Sequence, residues 1–212
     1  VGLVFQNPDR QLFSANVYED VSFGPLNLGL DERQVRQLVV QALLAVGMAE
    51  HVDRPVQELS FGQKKRVCIA GVLAMQPRVL LLDEPMAGLD AEMQHELAVL
   101  LDGLIDQGVT VVLTSHDVDF AYRWADDIHL LAAGRCSASF PAADLPQHTE
   151  ALRVAAQPLP LVLRLHAALT ERGWIAGQTA PRSVEALLAT LPPARIGIGH
   201  PFSSILSEPR FL

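Results

Sequence analysis

Leu59-Ser60-Phe61-Gly62-Gln63, followed by Val79-Leu80-Leu81-Leu82-Asp83-Glu84-Pro85, is the stretch on which the reading of this chain turns. In the first segment Ser60 stands where a helix N-cap is expected, with a helix predicted over residues 61–75 behind it. A helix start of that kind turns backbone N–H groups, a hydroxyl and the positive end of the helix dipole outward, which makes a receptor for phosphate. In the second segment four apolar residues run into two adjacent carboxylates. Such a run reads as a buried parallel strand whose C-terminal tip presents Asp83 to a Mg²⁺ ion and Glu84 to an attacking water. Alone, paired acids after a strand could equally be a solvated turn. Behind a phosphate receptor, they point to nucleoside triphosphate chemistry.

Further motifs stand on either side. Ala87-Gly88-Leu89-Asp90 follows the carboxylates, Ser115-His116-Asp117 closes a predicted strand over 110–114, and upstream Gln6 closes a short strand over 1–5. This ordered set resembles the ATPase subunit of ABC transporters over roughly residues 1–134. Phe5-Gln6-Asn7-Pro8-Asp9-Arg10-Gln11-Leu12-Phe13, with the stretch from Glu19 through Asp20-Val21-Ser22-Phe23-Gly24-Pro25 to Gly29, makes the chain similar to the cobalt/nickel and energy-coupling-factor importer ATPases.

The resemblance implies an α/β fold with a P-loop-NTPase-like parallel sheet, an inserted helical subdomain over about 30–76, and a small C-terminal appendage. It implies ATP and Mg²⁺ as ligands, Asp83 and Gln6 near the metal, Glu84 polarising the hydrolytic water and His116 sensing the γ-phosphate. Leu59, Ser60, Phe61, Gly62 and Gln63 would serve a nucleotide held by a second ATPase subunit, identical or different, in a head-to-tail pair. Asp90 reads as an N-cap for a helix over 91–107 and, by resemblance, as a contact across that pair; both can hold at once. Between Asn7 and Gly29 the apolar residues Leu12, Phe13, Val17, Val21, Phe23 and Leu26 divide between core and a groove for a helix of a transmembrane partner. The implied location is the cytoplasmic face of the membrane, peripherally bound. The implied cargo is cobalt or nickel ions or a vitamin.

One expected element is missing from the sequence. Cradling the β and γ phosphates takes a Gly-rich loop ending in Gly-Lys-Ser/Thr, yet the chain has two lysines, Lys64 and Lys65, and neither follows a glycine. Residue 1 is valine, and the family places that loop upstream of Gln6. The expectation is an N-terminally truncated chain, inactive alone for want of the Walker A loop. The alternative is a degenerate, non-catalytic subunit that lends only its signature face to a partner.

Composition narrows the remaining classes. With 212 residues, half of them apolar and 19% charged, the chain can build a sizeable core. A net charge of −8 argues against a nucleic-acid surface, which needs clustered Lys and Arg. Cys68 and Cys136 lack any metal-ligand spacing and fit a reducing compartment as unpaired thiols. DNA-repair and translation proteins of the same family carry insertions too long for this chain.

Along the chain, Val35, Leu38, Val39, Ala42, Leu43 and Val46 recur at helical spacing behind Asp31, with Gln34 as capping-box partner and Gly47 as the stop. After residue 79, strand and helix alternate through 79–83, 91–107, 109–115, 118–125 and 128–132, with a turn at Gly134, which predicts successive βαβ units in one doubly wound sheet. The ATPase portion is expected over 1–142. From 143 the composition becomes Pro-punctuated, and a C-terminal extension over 143–212 is expected to hold helices near 161–172 and 183–191.

Overall fold

Gly2–Val4 (β1), Val79–Asp83 (β2) and Thr110–Thr114 (β3) lie side by side in the order β1-β2-β3, all parallel. The register sets Val4 opposite Leu82, and Leu82 opposite Leu113. Parallel neighbours cannot be joined by tight turns, so each crossover carries helices. Val17–Asn27 (α1), Glu32–Ala45 (α2) and Phe61–Leu73 (α3) fill the connection from β1 to β2, and Ala91–Asp106 (α4) the one from β2 to β3. The computed structural model describes residues 1–175 and 179–191, and the chain divides into two compact units, Val1–His116 and Asp117–Leu212.

In the first unit α1, α2 and α3 pack against one another, and α3 also packs on β1. Val17, Val21, Val35, Val39, Leu43, Val67 and Ile69 are all buried in that unit. Each buried side chain of this size contributes about 1.5–3 kcal/mol, so the helical layer is held chiefly by its apolar seams. The α2 signals are realised. Asp31 accepts from the Gln34 N–H while Gln34 Oε1 accepts from the Asp31 N–H, and Gly47 follows the helix at φ +67°. In the sheet, Val4, Leu80 and Leu82 are buried, whereas Leu3 and Val112, flanking Leu81 on the opposite face, are about half exposed. The expectation that β2 is buried on both faces is therefore met on one only, because the described residues leave the Leu3–Leu81–Val112 face largely uncovered.

The second unit corrects the expected topology. Asp127–Ala132 (β4) does not continue the parallel sheet. It pairs antiparallel with Arg135–Pro141 (β5), a strand absent from the sequence reading. Ala133 and Gly134, at φ +50° and +75°, form the two-residue loop between them. Two positive φ values in succession give a turn that folds a strand back on its neighbour, and a link that short cannot make a parallel crossover.

The core of this unit runs from Tyr122 on Val118–Trp124 (α5) through Ile128, Leu130, Phe140 and Leu145 to Leu152 on Thr149–Val154 (α6). It continues into Val162 and Leu163 on Leu161–Glu171 (α7) and Leu187 on Val184–Ala189 (α8). The unit thus begins ahead of the composition change at residue 143, because its apolar seam draws on α5 and β4. Arg182 donates to the carbonyls of Tyr122 and Ala125, and Asp119 accepts from the Leu161 N–H at 2.6 Å. The expected C-terminal helices are present as α7 and α8; Pro192, Pro193 and 197–212 lie outside the described residues. Among the described residues, no helix is long and apolar enough to cross a membrane.

The two thiols have opposite surroundings. Cys68 is buried on α3, and that burial, aided by the nearby acids Asp20 and Asp9, pushes its pKa up to about 12, whereas Cys136 is exposed on β5. A maleimide applied to the native protein should therefore modify Cys136 and spare Cys68, which reacts only after denaturation. Peptide mass spectrometry checks this, and native labelling of Cys68 as fast as Cys136 would contradict the packing of α3.

Candidate functional site

Because β1, β2 and β3 are parallel, their C-terminal tips share one edge of the sheet. That edge receives Gln6 just after β1, Asp83 at the end of β2 with Glu84 next to it, and Thr114 at the end of β3 with Ser115 and His116 following. Gln6 is exposed there. In sheets of this kind ligands bind at the carboxyl ends of the strands.

The Asp83–Glu84 pair is tied by hydrogen bonds, with Asp83 exposed and Glu84 partly buried. The Thr114 hydroxyl donates to Asp83 Oδ1 at 2.6 Å and accepts from the Glu84 N–H at 3.0 Å, tying the two tips together. Glu84 adopts φ +44°, the left-handed region that a non-glycine residue occupies at a cost of about 1–3 kcal/mol. Its carboxylate Oε1 lies 2.9 Å from His116 Nδ1, with the histidine side chain 77% exposed and the glutamate 20%. Two acids and an imidazole thus face the open edge from adjacent strand ends.

A second group gathers at the start of α3. Ser60 is its N-cap: Ser60 Oγ accepts from the Gln63 N–H at 3.3 Å, and Gln63 Oε1 accepts from the Ser60 N–H at 3.0 Å. This reciprocal box leaves the Phe61 and Gly62 amides as first-turn groups with no acceptor inside the helix. Leu59 is buried and Phe61 exposed. Gly62 is buried, and a Cβ on it would come within 2.7 Å of Met93 Sδ on α4, so a larger residue would make the Met93 side chain move. Gly88, at φ +75°, lies beneath the Phe61 ring, where a Cβ would be 3.0 Å from Cε1. Asp90 caps α4, accepting from the Met93 N–H at 2.9 Å.

The stretch between Asn7 and Gly29 divides. Val17 and Val21 are fully buried, while Phe13, Phe23, Leu26 and Leu28 are exposed, and the Phe13 and Phe23 rings meet edge to face at 4.7 Å. The loop that carries Phe13 is ordered by Asp20, whose Oδ2 accepts from the Phe13 and Ser14 N–H groups, both at 2.9 Å.

Three participants escaped the sequence reading: Thr114, His51 and the inward orientation of Lys65. Thr114 is an ordinary strand residue until Asp83 stands beside it in register. His51 meets the Gln63 side chain, Nε2 to Nε2 at 3.1 Å, only because the short helical turn Ala49–His51 folds against α3. Lys65 is 4% exposed, and no periodicity rule places a lysine inside.

Against known proteins, residues 1–87 match the family model described as "ABC transporter". The chain is 45% identical to the cobalt import ATP-binding protein CbiO of Rhodobacter capsulatus, over 90% of this chain and 69% of that protein. The chain belongs to the ABC transporter ATP-binding family. It is also 49% identical to a putative ABC transporter ATP-binding protein of Streptomyces coelicolor, over 89% of this chain and 66% of the relative. With the energy-coupling factor transporter ATP-binding protein EcfA2 of Methanospirillum hungatei it shares 45% identity, covering 87% of this chain and 46% of that one. The chain thus spans between about half and two-thirds of the length of these latter relatives. Among solved structures it is similar to CbiO1 from Clostridium perfringens, part of the ABC transporter complex CbiONQ. That similarity has a TM-score of 0.65 and 42% identity, and covers 78% of this chain and 66% of the other. A dimeric ATP-binding cassette in a post-hydrolysis state with ADP and Pi aligns at TM-score 0.57 and 27% identity, over 66% of this chain and 62% of that one.

The cap role of Asp90 can be separated from any other. Asp90→Ala should lower stability by about 1 kcal/mol, whereas Asp90→Ser, which keeps an acceptor for the Met93 N–H, should lose only a few tenths. Urea denaturation followed by circular dichroism measures both, and equal losses in the two variants would remove the cap from the account.

Proposed function

We propose that this chain supplies the metal, water and signature elements of an ATP-hydrolysing subunit that drives an importer of cobalt or nickel ions or of a vitamin. The observation that carries the reading is the single sheet edge on which Asp83, Glu84, Thr114 and His116 are hydrogen-bonded together. The names of the relatives CbiO and EcfA2 support the importer class.

In this reading two subunits close head to tail over two ATP molecules. The start of α3 contributes Ser60 and the Gly62 amide to the nucleotide of the opposite subunit, as a helix N-terminus does toward an anion. Asp83, with Gln6 beside it on the same edge, offers hard oxygen donors of the kind Mg²⁺ takes alongside phosphate oxygens. One oxygen of Asp83 is committed to Thr114 and the other remains for the ion. The ion, when bound, neutralises charge developing on the transferred phosphoryl group. Glu84 accepts the proton of the attacking water. His116 starts as the partner of Glu84 and donates to the γ-phosphate once nucleotide is bound. Asp90 stands at the pair interface in addition to capping α4. Closure of the pair around ATP and its reopening after hydrolysis move the membrane partner, because ATP binds the closed state more tightly. The subunit then sits peripherally on the cytoplasmic face.

The 212 residues contain no Gly-Lys-Ser/Thr loop, so alone they should turn over little ATP. The direct test uses the protein as the cell makes it. Glu84→Gln should leave ATP binding within about twofold and lower kcat at least about a hundredfold, with an ATP-dependent dimer accumulating on size-exclusion chromatography. Unchanged turnover would remove Glu84 from the chemistry. Turnover that appears only with a catalytic partner, and is indifferent to Glu84→Gln, would favour the non-catalytic alternative.

The exposed Phe13, Phe23 and Leu26 propose the docking face for a helix of the transmembrane component. Phe23→Asp should weaken co-purification with that component at least about tenfold while leaving basal ATPase unchanged, since two buried aromatics dominate such a contact. A complex of unaltered affinity would place the docking face elsewhere.

A further inference from the structure

Lys65 is the one charged side chain among the described residues that is buried. Its ammonium donates to the carbonyls of Glu84 at 3.3 Å, Pro85 at 2.6 Å and Ala87 at 2.7 Å, which uses all three of its N–H groups. Behind it, the Phe61 ring lies 5.3 Å from the ammonium. Burial lowers the Lys65 pKa, while the neighbouring Glu84 charge works the other way. A lysine placed at this depth is held there by its acceptors.

Those acceptors belong to the turn that leaves β2 in a strained conformation. Glu84 is held at both ends: its N–H by the Thr114 hydroxyl and its C=O by Lys65. A left-handed non-glycine residue persists only where its surroundings over-determine it. Lys65 also stands on α3, five residues beyond Ser60 on the same helix.

We propose that Lys65 is a positioning residue: its ammonium fixes the Glu84–Ala87 turn, and through the rigid α3 it makes the setting of the Glu84 carboxylate depend on how the Ser60 end of that helix is engaged. The inference rests on the ATPase reading above and adds a link between the two nucleotide sites. One site is touched by the tip of α3, the other is served by Glu84, and Lys65 joins them within a single subunit.

The test compares wild type, Lys65→Met and Lys65→Arg in the full-length gene product, by hydrogen exchange and by steady-state ATPase kinetics. In Lys65→Met, amides of residues 84–90 should exchange about tenfold faster while those of α2 are unchanged, because the loss is local. Its kcat should fall at least about tenfold with KM and fluorescent-ATP affinity within about twofold. ATP·Mg²⁺ should protect 84–90 in wild type and not in Lys65→Met. Lys65→Arg, which can still donate to several carbonyls, should restore protection and turnover to within about threefold.

Wild-type exchange and kcat in Lys65→Met would overturn the proposal. So would exchange raised evenly over the first unit together with lost nucleotide binding, which would assign Lys65 to stability alone. Should Lys65→Met not accumulate as folded protein, Lys65→Gln takes its place with the same outcomes, and failure of both to fold also assigns a stability role. A wild type that shows Lys65-dependent protection of 84–90 but no turnover would refute the ATPase reading and not the positioning of the turn.

Discussion

The constraint from which this structure follows is the parallel pairing of three strands of three to five residues each. Parallel strands present all their carboxyl tips on one edge, and they force every connection to travel the length of the sheet and back. The first consequence assembles Gln6, the Asp83–Glu84 pair and His116 from three distant parts of the sequence. The second brings α1–α3 and α4 into the unit as crossovers. The start of α3, with its capping box, and the carboxylate edge thus belong to one compact unit because of one pairing rule. The Thr114 hydroxyl, bridging Asp83 and Glu84, is that rule expressed at the scale of a hydrogen bond.

Much of this was legible in the chain because its local signals agree with its tertiary structure. Asp31 with Gln34, and Ser60 with Gln63, are capping boxes in sequence and in space; Gly47 stops α2 where a residue at φ +67° is needed. The strand ending in Asp83 was readable from its apolar run and its acids. What failed was inference about partners. The alternation of strand and helix predicts β4 in the parallel sheet, whereas its partner is the next strand, reached through the Ala133-Gly134 loop. The strand after it, Arg-Cys-Ser-Ala-Ser-Phe-Pro, has one large apolar residue facing the core, Phe140, and so no alternation strong enough to announce it. Thr114 and His51 acquire their meaning from neighbours that the sequence does not reveal.

Lys65 shows why a site can be legible in its motif and opaque in its support. Side chains on a helix turn by about 100° per residue, so the consecutive residues Gln63, Lys64, Lys65 and Arg66 leave α3 in four directions. Gln63 meets His51, Lys64 meets Asp9 at 2.7 Å, Lys65 meets the turn after β2, and Arg66 meets Glu96 on α4 and the Val46 carbonyl. In sequence these are four polar residues in a row, with nothing to mark which of them turns inward. In space they are the spokes by which α3 engages the His51 turn, the segment after Gln6, the carboxylate turn and α4.

The spokes differ in what they can do. The Lys64–Asp9 pair has its carboxylate 58% exposed, and the Arg66–Glu96 pair likewise opens to solvent, so each contributes at most about 1 kcal/mol and is screened by salt. Lys65 is different in kind. Its three acceptors are backbone carbonyls of a buried or part-buried turn, and removing the ammonium leaves them without that donor, a cost that falls on the turn and not on the helix. The exposed spokes can therefore drift with ionic strength while the buried one keeps its register. Under the positioning role proposed for Lys65, displacement at the first turn of α3 reaches Glu84 through this buried contact and not through the exposed pairs.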